Sequence, residues 1–453
     1  MALLSRIRRR LDNPDENIAG GSGAIGLAGA FSIGIGGIVG GGIFATLGLA
    51  TVESRGATFL SFLIGGLVAL LTAYSYVKLS IAYPSKGGTV TFLNKAFGPG
   101  FFAGTLNVLL VLSYVVLLSV YAFAFANYAA ATFFPTHDYA LWHRVLVSAV
   151  IVLLALVNFT GPALVERSEG FFNLSKLLIL FVFVALGLIA GGLTFERMAP
   201  SEWVSAPSII AAGMLVFLSY EGFELIANVS DQVRDRDRNL PLAYYGSVTT
   251  ALVFYVLIIF VVLGHMSFES ITASRDYTLS AAAELFMGKS GFVLLAVGAI
   301  LATASAINAG LFGASKLPQM LARVEEAPPV YLRQIGGRQP VGLIVISVLV
   351  LLIVNFLDLH SLSAAASAGF IIIFFMVNLA NAKLAQETGS NRRVSVTAAA
   401  VCLVALAIML AETALNPSHR KDLWFIAGLV VLPVFYQTVH RCVRYIRGKK
   451  EQA

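Results

Sequence analysis

The stretch Ser32-Ile-Gly-Ile-Gly-Gly-Ile-Val-Gly-Gly-Gly-Ile-Phe-Ala-Thr46 has six glycines in fifteen residues and lies in a segment otherwise apolar enough to cross a membrane. Each interior glycine disfavours a helix by about 1 kcal/mol relative to alanine. We therefore predict a spanning helix that is broken, with extended backbone at about residues 38–41. Unpaired backbone groups inside a bilayer are tolerated only where protein, water or a ligand pairs with them. The predicted break is consequently a candidate binding site.

The composition is that of an integral membrane protein. Of the 453 residues, 58% are hydrophobic and 12% are charged, whereas a soluble domain carries about 25% charged residues. Long apolar runs without strand-like alternation exclude an outer-membrane barrel and predict an all-α polytopic membrane protein with about twelve transmembrane helices. The predicted spans are 24–48, 57–83, 99–131, 141–160, 170–192, 207–229, 241–264, 291–315, 341–357, 362–383, 394–414 and 422–440.

The net charge of +7 follows from membrane topology. Most of the 31 lysines and arginines fall in alternate loops and at the two ends of the chain, and the positive-inside rule then places both termini in the cytoplasm. We predict a multi-pass protein of the cell membrane (inner or plasma), embedded in the lipid bilayer and without a nucleic-acid partner. The sequence does not define an oligomeric state.

Patterns for catalysis or metal binding are not evident in the sequence. No Ser-His-Asp or paired-acid constellation in a water-accessible pocket is recognisable, so we do not predict an enzyme. We expect neither a cofactor nor a metal site, because the candidate histidines lie near span ends or in loops and no cluster is expected of them. These histidines are His265, His360, His419 and His440.

A second irregular segment lies in the sixth span. Phe217-Leu-Ser-Tyr-Glu-Gly-Phe-Glu224 places two carboxylates and a glycine well inside an apolar run, which predicts a break at residues 219–222. Five spans separate the starts of the two irregular segments, so they enter the membrane from opposite sides, as in transporters built from inverted repeats. The predicted units are a cytoplasmic segment (1–23), two inverted five-helix repeats (24–192 and 193–385), and helices 11 and 12 with a basic tail (386–453).

Five patches occur in this order along the chain: Gly37-Ile-Val-Gly-Gly-Gly-Ile-Phe44, Tyr83-Pro-Ser-Lys-Gly-Gly88 with Ala96-Phe-Gly98, Arg167 with Lys176, Phe217 to Glu224 through Asn239-Leu-Pro241, and Ala306-Ile-Asn308 with Ser315 to Ala322. Together they resemble the amino acid–polyamine–organocation (APC) transporter superfamily, and within it the prokaryotic-type amino acid permeases. The resemblance covers about residues 20–385 and implies a LeuT-type 5+5 inverted repeat with broken helices 1 and 6. It departs from the common pattern at Glu221, where many amino-acid members have an apolar residue, and at Lys316, where arginine is common.

The resemblance implies a secondary active transporter of amino acids or amino-acid-like solutes that works by alternating access. The N–H groups that open the second half of the broken first helix would hold a substrate carboxylate, and the carbonyls that end its first half would hold an ammonium. The alternative is close helix packing through Gly36-x-x-x-Gly40. The predicted substrate-binding residues are Ile35, Ile38, Val39, Gly40, Gly41, Gly42, Phe217, Ser219, Tyr220 and Glu221.

Lys176 is the predicted coupling residue. A lysine in the bilayer interior costs about 3 kcal/mol and should face a partner, although it could instead reach the membrane surface from a helix end. The resemblance implies that its ammonium replaces a bound sodium ion and touches the broken first helix and the eighth helix near Ser305. Transport would then be sodium-independent, with a proton or an exchanged solute as the second partner.

The roles of Glu221 and Glu224 remain open at this point. They could hydrogen-bond backbone freed by the break, or Glu224 could take part in coupling. They could also bind a cationic cargo, which makes an amine, polyamine or other cation the alternative substrate. Phe217 is the predicted gate, and Tyr114 and Tyr121 are candidate cavity residues. An intramembrane enzyme or sensor is a remoter alternative.

Overall fold

The computed structural model describes residues 23–134, 138–160, 162–335 and 339–450. Side chains are described throughout these ranges except at 160, 162–171, 339–340 and 447–450. The predicted cytoplasmic segment 1–23 therefore lies outside the described residues apart from Gly23, and so does the side chain of Arg167.

Apolar runs without charges form the long helices. Phe101–Phe133 contains no Asp, Glu, Lys or Arg and forms one helix of 33 residues, because a helix pairs its backbone groups internally where water is absent. Numbered along the chain, the helices are α1 (Leu27–Ile38), α2 (Gly42–Ser54), α3 (Thr58–Ala82), α4 (Gly88–Phe97), α5 (Phe101–Phe133), α6 (Tyr139–Thr160), α7 (Pro162–Ile189), α8 (Ala206–Leu215), α9 (Arg236–His265), α10 (Phe268–Ala273), α11 (Thr278–Ala314), α12 (Leu317–Arg323), α13 (Gly342–Phe356), α14 (Leu359–Lys383), α15 (Ala385–Thr388), α16 (Arg392–Leu415) and α17 (Arg420–Lys450).

Short elements connect these helices. Strands β1 (Gln334–Ile335) and β2 (Gln339–Pro340) pair antiparallel, with Gln334 opposite Pro340. Helix α11 is interrupted at Gly288, whose φ is +65°. The 3-10 helices are Glu196–Met198, Pro200–Glu202, Phe217–Tyr220, Phe223–Gln232 and Pro329–Leu332.

The all-α polytopic membrane fold is confirmed. Within the described ranges, nine helices are long and apolar enough to cross a membrane. Two further pairs, α1 with α2 and α8 with Phe217–Gln232, are bent by 44° and 47° at short breaks. The predicted ninth span, 341–357, is helix α13 of 15 residues, which is shorter than the roughly 20 residues needed to cross a bilayer. The described chain thus supports up to eleven spans plus this shorter helix.

Helices α5 and α14 form the centre of the bundle. Helix α5 packs against α11, α14, α6, α13 and α17, and α14 packs against α16 and α5. The outer helices instead expose large apolar side chains, including Leu153, Ile189, Phe356 and Trp424. A ring of exposed apolar side chains around a buried centre is the pattern expected of a protein surrounded by lipid.

The two broken spans run antiparallel through the molecule. The start of the first lies beside the end of the sixth, since Ile25 N donates to Gln232 O at 3.0 Å and Arg234 N donates to Ile25 O at 2.9 Å. This direction agrees with their predicted entry from opposite sides of the membrane. The inverted repeat itself, with its boundaries at 24–192 and 193–385, stays a prediction.

Candidate functional site

The first break lies where the glycines predict it. Helix α1 ends at Ile38, and Val39 leaves the helical region with φ −80° and ψ 53°. Helix α2 begins at Gly42, and no side chain caps its first turn. Within the predicted range 38–41, Ile38 is still helical and Gly41 has helical backbone angles, with φ −75° and ψ −15°. The break is therefore a tight turn, and the extended backbone predicted for this range is not found at Ile38, Val39 or Gly41.

The second break is centred on Glu221 and Gly222. Phe217–Tyr220 is a 3-10 helix, so Ser219 and Tyr220 are still helical, whereas Glu221 is extended with φ −62° and ψ 143°. Gly222 has φ +121°, a conformation that side chains other than glycine rarely adopt. The segment beyond the break, Phe223–Gln232, is a 3-10 helix, which has the poorer hydrogen-bond geometry.

The two breaks touch each other. A Cβ atom at Gly222 would lie 2.3 Å from the carbonyl carbon of Gly37. The hydroxyl of Tyr255 bridges two freed carbonyls as a donor, lying 2.9 Å from Ile38 O and 2.9 Å from Ser219 O. Thr46 adds a hydroxyl contact of 2.8 Å with the Ser219 side chain. Protein groups therefore satisfy part of the backbone that the breaks leave unpaired, as the bilayer requires.

Lys176 lies beside the first break. Its side chain is 1% exposed, and Nζ donates to the carbonyl oxygen of Gly36 at 2.7 Å. This is the expected contact between the ammonium and the broken first helix. A cation at the carbonyl end of a half-helix is also favoured by the helix dipole.

A cavity of about 390 Å³ lies between α1, α5, α11 and the second break. It has the size of a small-molecule site. Five of the residues predicted from the sequence line it, namely Tyr114, Tyr121, Glu221, Glu224 and Ser305.

The other predicted site residues are buried around the two breaks and do not line this cavity. Gly41 packs against Tyr121, since a Cβ there would lie 2.5 Å from the Tyr121 ring, and Gly42 packs against Ser219. Phe217 makes an edge contact with Phe374 at 5.6 Å between centroids. Binding by these residues and the gating role of Phe217 stay predictions. The residues away from the cavity wall are Ile35, Ile38, Val39, Gly40, Gly41, Gly42, Phe217, Ser219 and Tyr220.

The two carboxyl groups of the second break differ in their partners. Glu224 accepts a hydrogen bond from the Tyr114 hydroxyl at 2.9 Å and one from Gly222 N at 2.7 Å. It therefore pairs with backbone that the break frees. Both side-chain oxygens of Glu221 are buried and have no hydrogen-bond partner among the described residues. Glu221 is among the residues that line the cavity, but both of its carboxyl oxygens are buried behind the cavity surface.

Further cavity residues were not predicted from the sequence. They include one face of α1, formed by Gly29, Ser32, Ile33 and Gly36, and Asn173 on α7. These four residues of α1 have the spacing i, i+3, i+4, i+7 of one helix face, and this pattern could have predicted from the sequence that they lie together. Tyr114, Leu117, Leu118 and Tyr121 on α5 follow the same spacing and also line the cavity.

The expectation that the histidines do not cluster is wrong at one place. The rings of His360 and His419 stack with centroids 3.8 Å apart, because the fold brings the start of α14 against the loop before α17. His265 and His440 are elsewhere, next to the carbonyls of Gly187 and Glu325.

The site consists of two broken antiparallel spans in contact, with the buried ammonium of Lys176 and a cavity containing Glu221 and Glu224 beside them. This arrangement defines the class of membrane transporters with discontinuous helices. The chain belongs to the amino acid permease family, whose sequence model matches residues 25–435.

Curated relatives support this membership. The chain is 29% identical to the inner membrane transport protein YbaT of Escherichia coli over 91% of this chain and 95% of YbaT. It is 24% identical to the chloroplastic cationic amino acid transporter 7 of Arabidopsis thaliana, over 91% and 74% of the two chains. It is 28% identical to the large neutral amino acids transporter small subunit 2 of Oryctolagus cuniculus, over 70% and 62%. The family consists of permeases and these relatives are named as transport proteins, so this chain is an amino acid transporter with multiple membrane spans and not an enzyme.

Proposed function

We propose that the protein carries amino acids or amino-acid-like solutes across the cell membrane by alternating access, coupled to a proton or an exchanged solute and not to sodium. The observation that supports this most strongly is the cavity beside both helix breaks, which is lined by Gly37 in the last turn of α1 and by Glu221 and Gly222 of the second break. Half-helix ends at such a site offer partners to both charged groups of an amino acid.

The cavity extends toward one side of the molecule only. Its lining continues from the breaks to Ile25 at the start of α1 and to Leu317 beyond α11. With the predicted topology, both of these positions are cytoplasmic. In the opposite direction, the contacts of Tyr255 and Thr46 with Ser219 join the two broken spans. We infer that this conformation faces the cytoplasm.

A zwitterionic substrate fits the charges around the cavity. The N-terminal end of α2 adjoins the cavity at Tyr121, since a Cβ at Gly40 would lie 4.0 Å from the Tyr121 hydroxyl oxygen. The positive end of this half-helix would attract the substrate carboxylate. The opposite wall includes Glu221, whose buried carboxyl group has no hydrogen-bond partner among the described residues and would accept hydrogen bonds from the substrate ammonium after a side-chain rotation that exposes its oxygens.

Lys176 supports sodium independence. Its ammonium donates to Gly36 O at the end of the first half-helix, so a fixed cation already faces a carbonyl of the break. A sodium ion there would meet a like charge within a few ångströms, in surroundings that screen charges weakly. The coupling role of Lys176, together with Ser305 and Glu224, is part of this proposal.

Reconstitution into liposomes tests the proposal. Purified protein should take up at least one labelled α-amino acid in sodium-free buffer, and an inward proton gradient or an internal load of the same amino acid should stimulate uptake. Protein-free liposomes and the Gly41→Val variant, whose added side chain would collide with Tyr121, are the controls. Flux that requires sodium, or full uptake by Gly41→Val, would contradict the proposal.

A second cargo is favoured by one observation, the unpartnered carboxyl group of Glu221. An amine, polyamine or other cation without a carboxylate would need an ionised Glu221 to offset its desolvation. The Glu221→Gln variant separates the two cargoes. For an amino acid we expect binding to change by less than about tenfold, because the α2 end and the amide oxygen remain. For a cation, loss of a charge-assisted hydrogen bond of about 1.5–3 kcal/mol should weaken binding by one to two orders of magnitude.

A further inference from the structure

Outside the cavity, four ionisable side chains lie close together. They are at the far end of the first broken span, which begins at Leu27 and ends at Ser54. They come from separate parts of the chain: Glu53 from the end of α2, His360 from the start of α14, His419 from the loop before α17, and Asp422 from the first turn of α17. We propose that Glu53, His360 and His419 bind a transition-metal ion, with Zn²⁺ the best fit, and that Asp422 orients the two imidazole rings.

The three ligand atoms converge on a common point. Glu53 Oε1 lies 3.2 Å from Nε2 of His419 and 4.0 Å from Nε2 of His360. One ligand atom from each of the three residues lies within 4.8 Å of the others. Ligand atoms around one tetrahedral Zn²⁺ are about 3.3 Å apart at the usual bond lengths. A shift of about 1 Å, with the stacked rings tilting apart, therefore closes the site.

Asp422 supplies the outer contact that metal-binding histidines usually have. Its Oδ2 lies 2.8 Å from Nδ1 of His360 and 3.7 Å from Nδ1 of His419. The carboxyl group is fully buried and also accepts a hydrogen bond from Ser361. When Nδ1 of His360 donates to Asp422, its Nε2 presents a lone pair to the side where Glu53 lies. Nδ1 of His419, at 3.7 Å, must approach Asp422 by about 0.5 Å to donate in the same way.

A metal ion resolves a mismatch in this arrangement. Two imidazole lone pairs and a carboxylate oxygen are all acceptors, and they need a positive partner between them. A proton on Nε2 of His419 would let that nitrogen donate to Glu53 at 3.2 Å, but it would leave Nε2 of His360, 4.0 Å from Glu53, unoccupied. One divalent ion satisfies all three acceptors at once.

The chemical types of the three ligand atoms indicate which metal ions would bind. Two imidazole nitrogens and one carboxylate suit Zn²⁺, and Mg²⁺ or Ca²⁺ would require an all-oxygen site. The side chains of His360, His419 and Glu53 are 18%, 22% and 30% exposed, so an ion can enter and water can complete the coordination. Cu²⁺ and Ni²⁺ should also bind, as expected for nitrogen ligands.

The test uses the full-length protein in detergent, purified without a polyhistidine tag and treated with a chelator. Calorimetric titration with Zn²⁺ should show one ion per chain, Co²⁺ should give the visible absorption of a tetrahedral site, and Zn²⁺ but not Mg²⁺ should raise the melting temperature. His419→Ala, Glu53→Gln and His360→Ala should each weaken Zn²⁺ binding at least tenfold. Asp422→Asn should weaken it by roughly 10–100-fold.

Matched variants make the result specific. His440→Ala removes a histidine that lies further along α17, next to the carbonyl oxygen of Glu325, and Cys442→Ser removes the exposed thiol. Both variants should bind Zn²⁺ as the unmodified protein does. His419 lies in a loop, so His419→Ala tests the site even if His360→Ala does not fold. The proposal is overturned if Zn²⁺ binding is absent, if it persists unchanged in His419→Ala, or if Cys442→Ser abolishes it.

Discussion

In the second break, Gly222 is the residue at which a side chain is least tolerated. Its φ is +121°, and a Cβ atom would meet the backbone of Gly37 at 2.3 Å. A left-handed conformation alone costs a side chain about 1–2 kcal/mol, and here the colliding atoms belong to backbone that cannot move independently. The contact of the two broken spans therefore depends on glycine at this position.

We predict that Gly222→Ala lowers the free energy of unfolding by more than about 2 kcal/mol, from the combined backbone strain and collision. Gly428→Ala is the matched control, because a Cβ there meets nothing within 4 Å, and alanine favours a helix by about 1 kcal/mol over glycine. Thermal unfolding in detergent measures both. Equal melting temperatures for Gly222→Ala and the unmodified protein would show that the breaks do not touch as described.

Among the acidic residues, sequence spacing and tertiary structure give different information. Glu221 and Glu224 are three residues apart, and the sequence leaves their roles open between pairing with backbone and binding a cation. The structure separates them, because Glu224 accepts from Gly222 N and Tyr114 whereas Glu221 has no partner among the described residues. The extended Glu221 and the left-handed Gly222 turn the two side chains apart, which helical spacing does not anticipate.

At the scale of elements, α7 and α1 are joined by a buried charge. Lys176 Nζ donates to Gly36 O at 2.7 Å, and a hydrogen bond of a charged group is worth about 1.5–3 kcal/mol. If the half-helices of the first span change their angle during transport, this bond is made in some conformations and weakened in others. Removing the hydrogen bond would then change the equilibrium constant between these conformations by one to two orders of magnitude.

We predict that Lys176→Ala folds and inserts but transports at least tenfold more slowly, with an altered dependence of transport on pH. Uptake in liposomes between pH 5.5 and 8.5 is the measurement, and chromatography in detergent verifies the fold. Lys289→Ala, which removes an exposed lysine of α11, should leave both properties unchanged. An unchanged rate and pH profile in Lys176→Ala would assign Lys176 a purely structural role.

The molecule as a whole should also respond to pH through Glu326. This residue follows α12 and links distant helices, since Asn107 of α5 donates to its carboxylate at 2.7 Å and Gln437 of α17 donates to its carbonyl oxygen at 2.7 Å. Burial raises the pKa of Glu326 to about 7, although the hydrogen bond from Asn107 opposes the shift. The folded protein therefore holds a proton that the unfolded chain releases near its ordinary pKa of about 4.3.

We predict that this residue lowers stability as pH rises from about 4.5 to about 7, because the folded state binds more protons than the unfolded state in that window. Above it, the loss of stability levels off at about 4 kcal/mol, from roughly 1.4 kcal/mol for each pH unit between the two pKa values of about 4.3 and about 7. Glu326→Gln should remove this dependence and be more stable than the unmodified protein at pH 8. Melting curves of the two proteins from pH 5 to 8 that run parallel would contradict the raised pKa.

The sequence alone determines the membrane class, the positions of most of the spans and the location of both breaks. These features depend on local properties, namely the length of apolar runs and the low helix propensity of Gly40, Gly41 and Gly42. They identify the family as well, since its motifs lie at those breaks. Lys176 could be selected because an isolated charge within an apolar run is costly wherever it lies.

Only the tertiary structure decided which residues meet. The cavity is lined by Gly29, Ser32 and Gly36, not by the glycines of the break, because the face that α1 turns to the centre depends on its packing against α9 and other helices. His360 and His419 are 59 positions apart by number, and no local pattern connects them. Their stacking follows from the arrangement of α14 and α17, which is set by side-chain packing over the whole bundle.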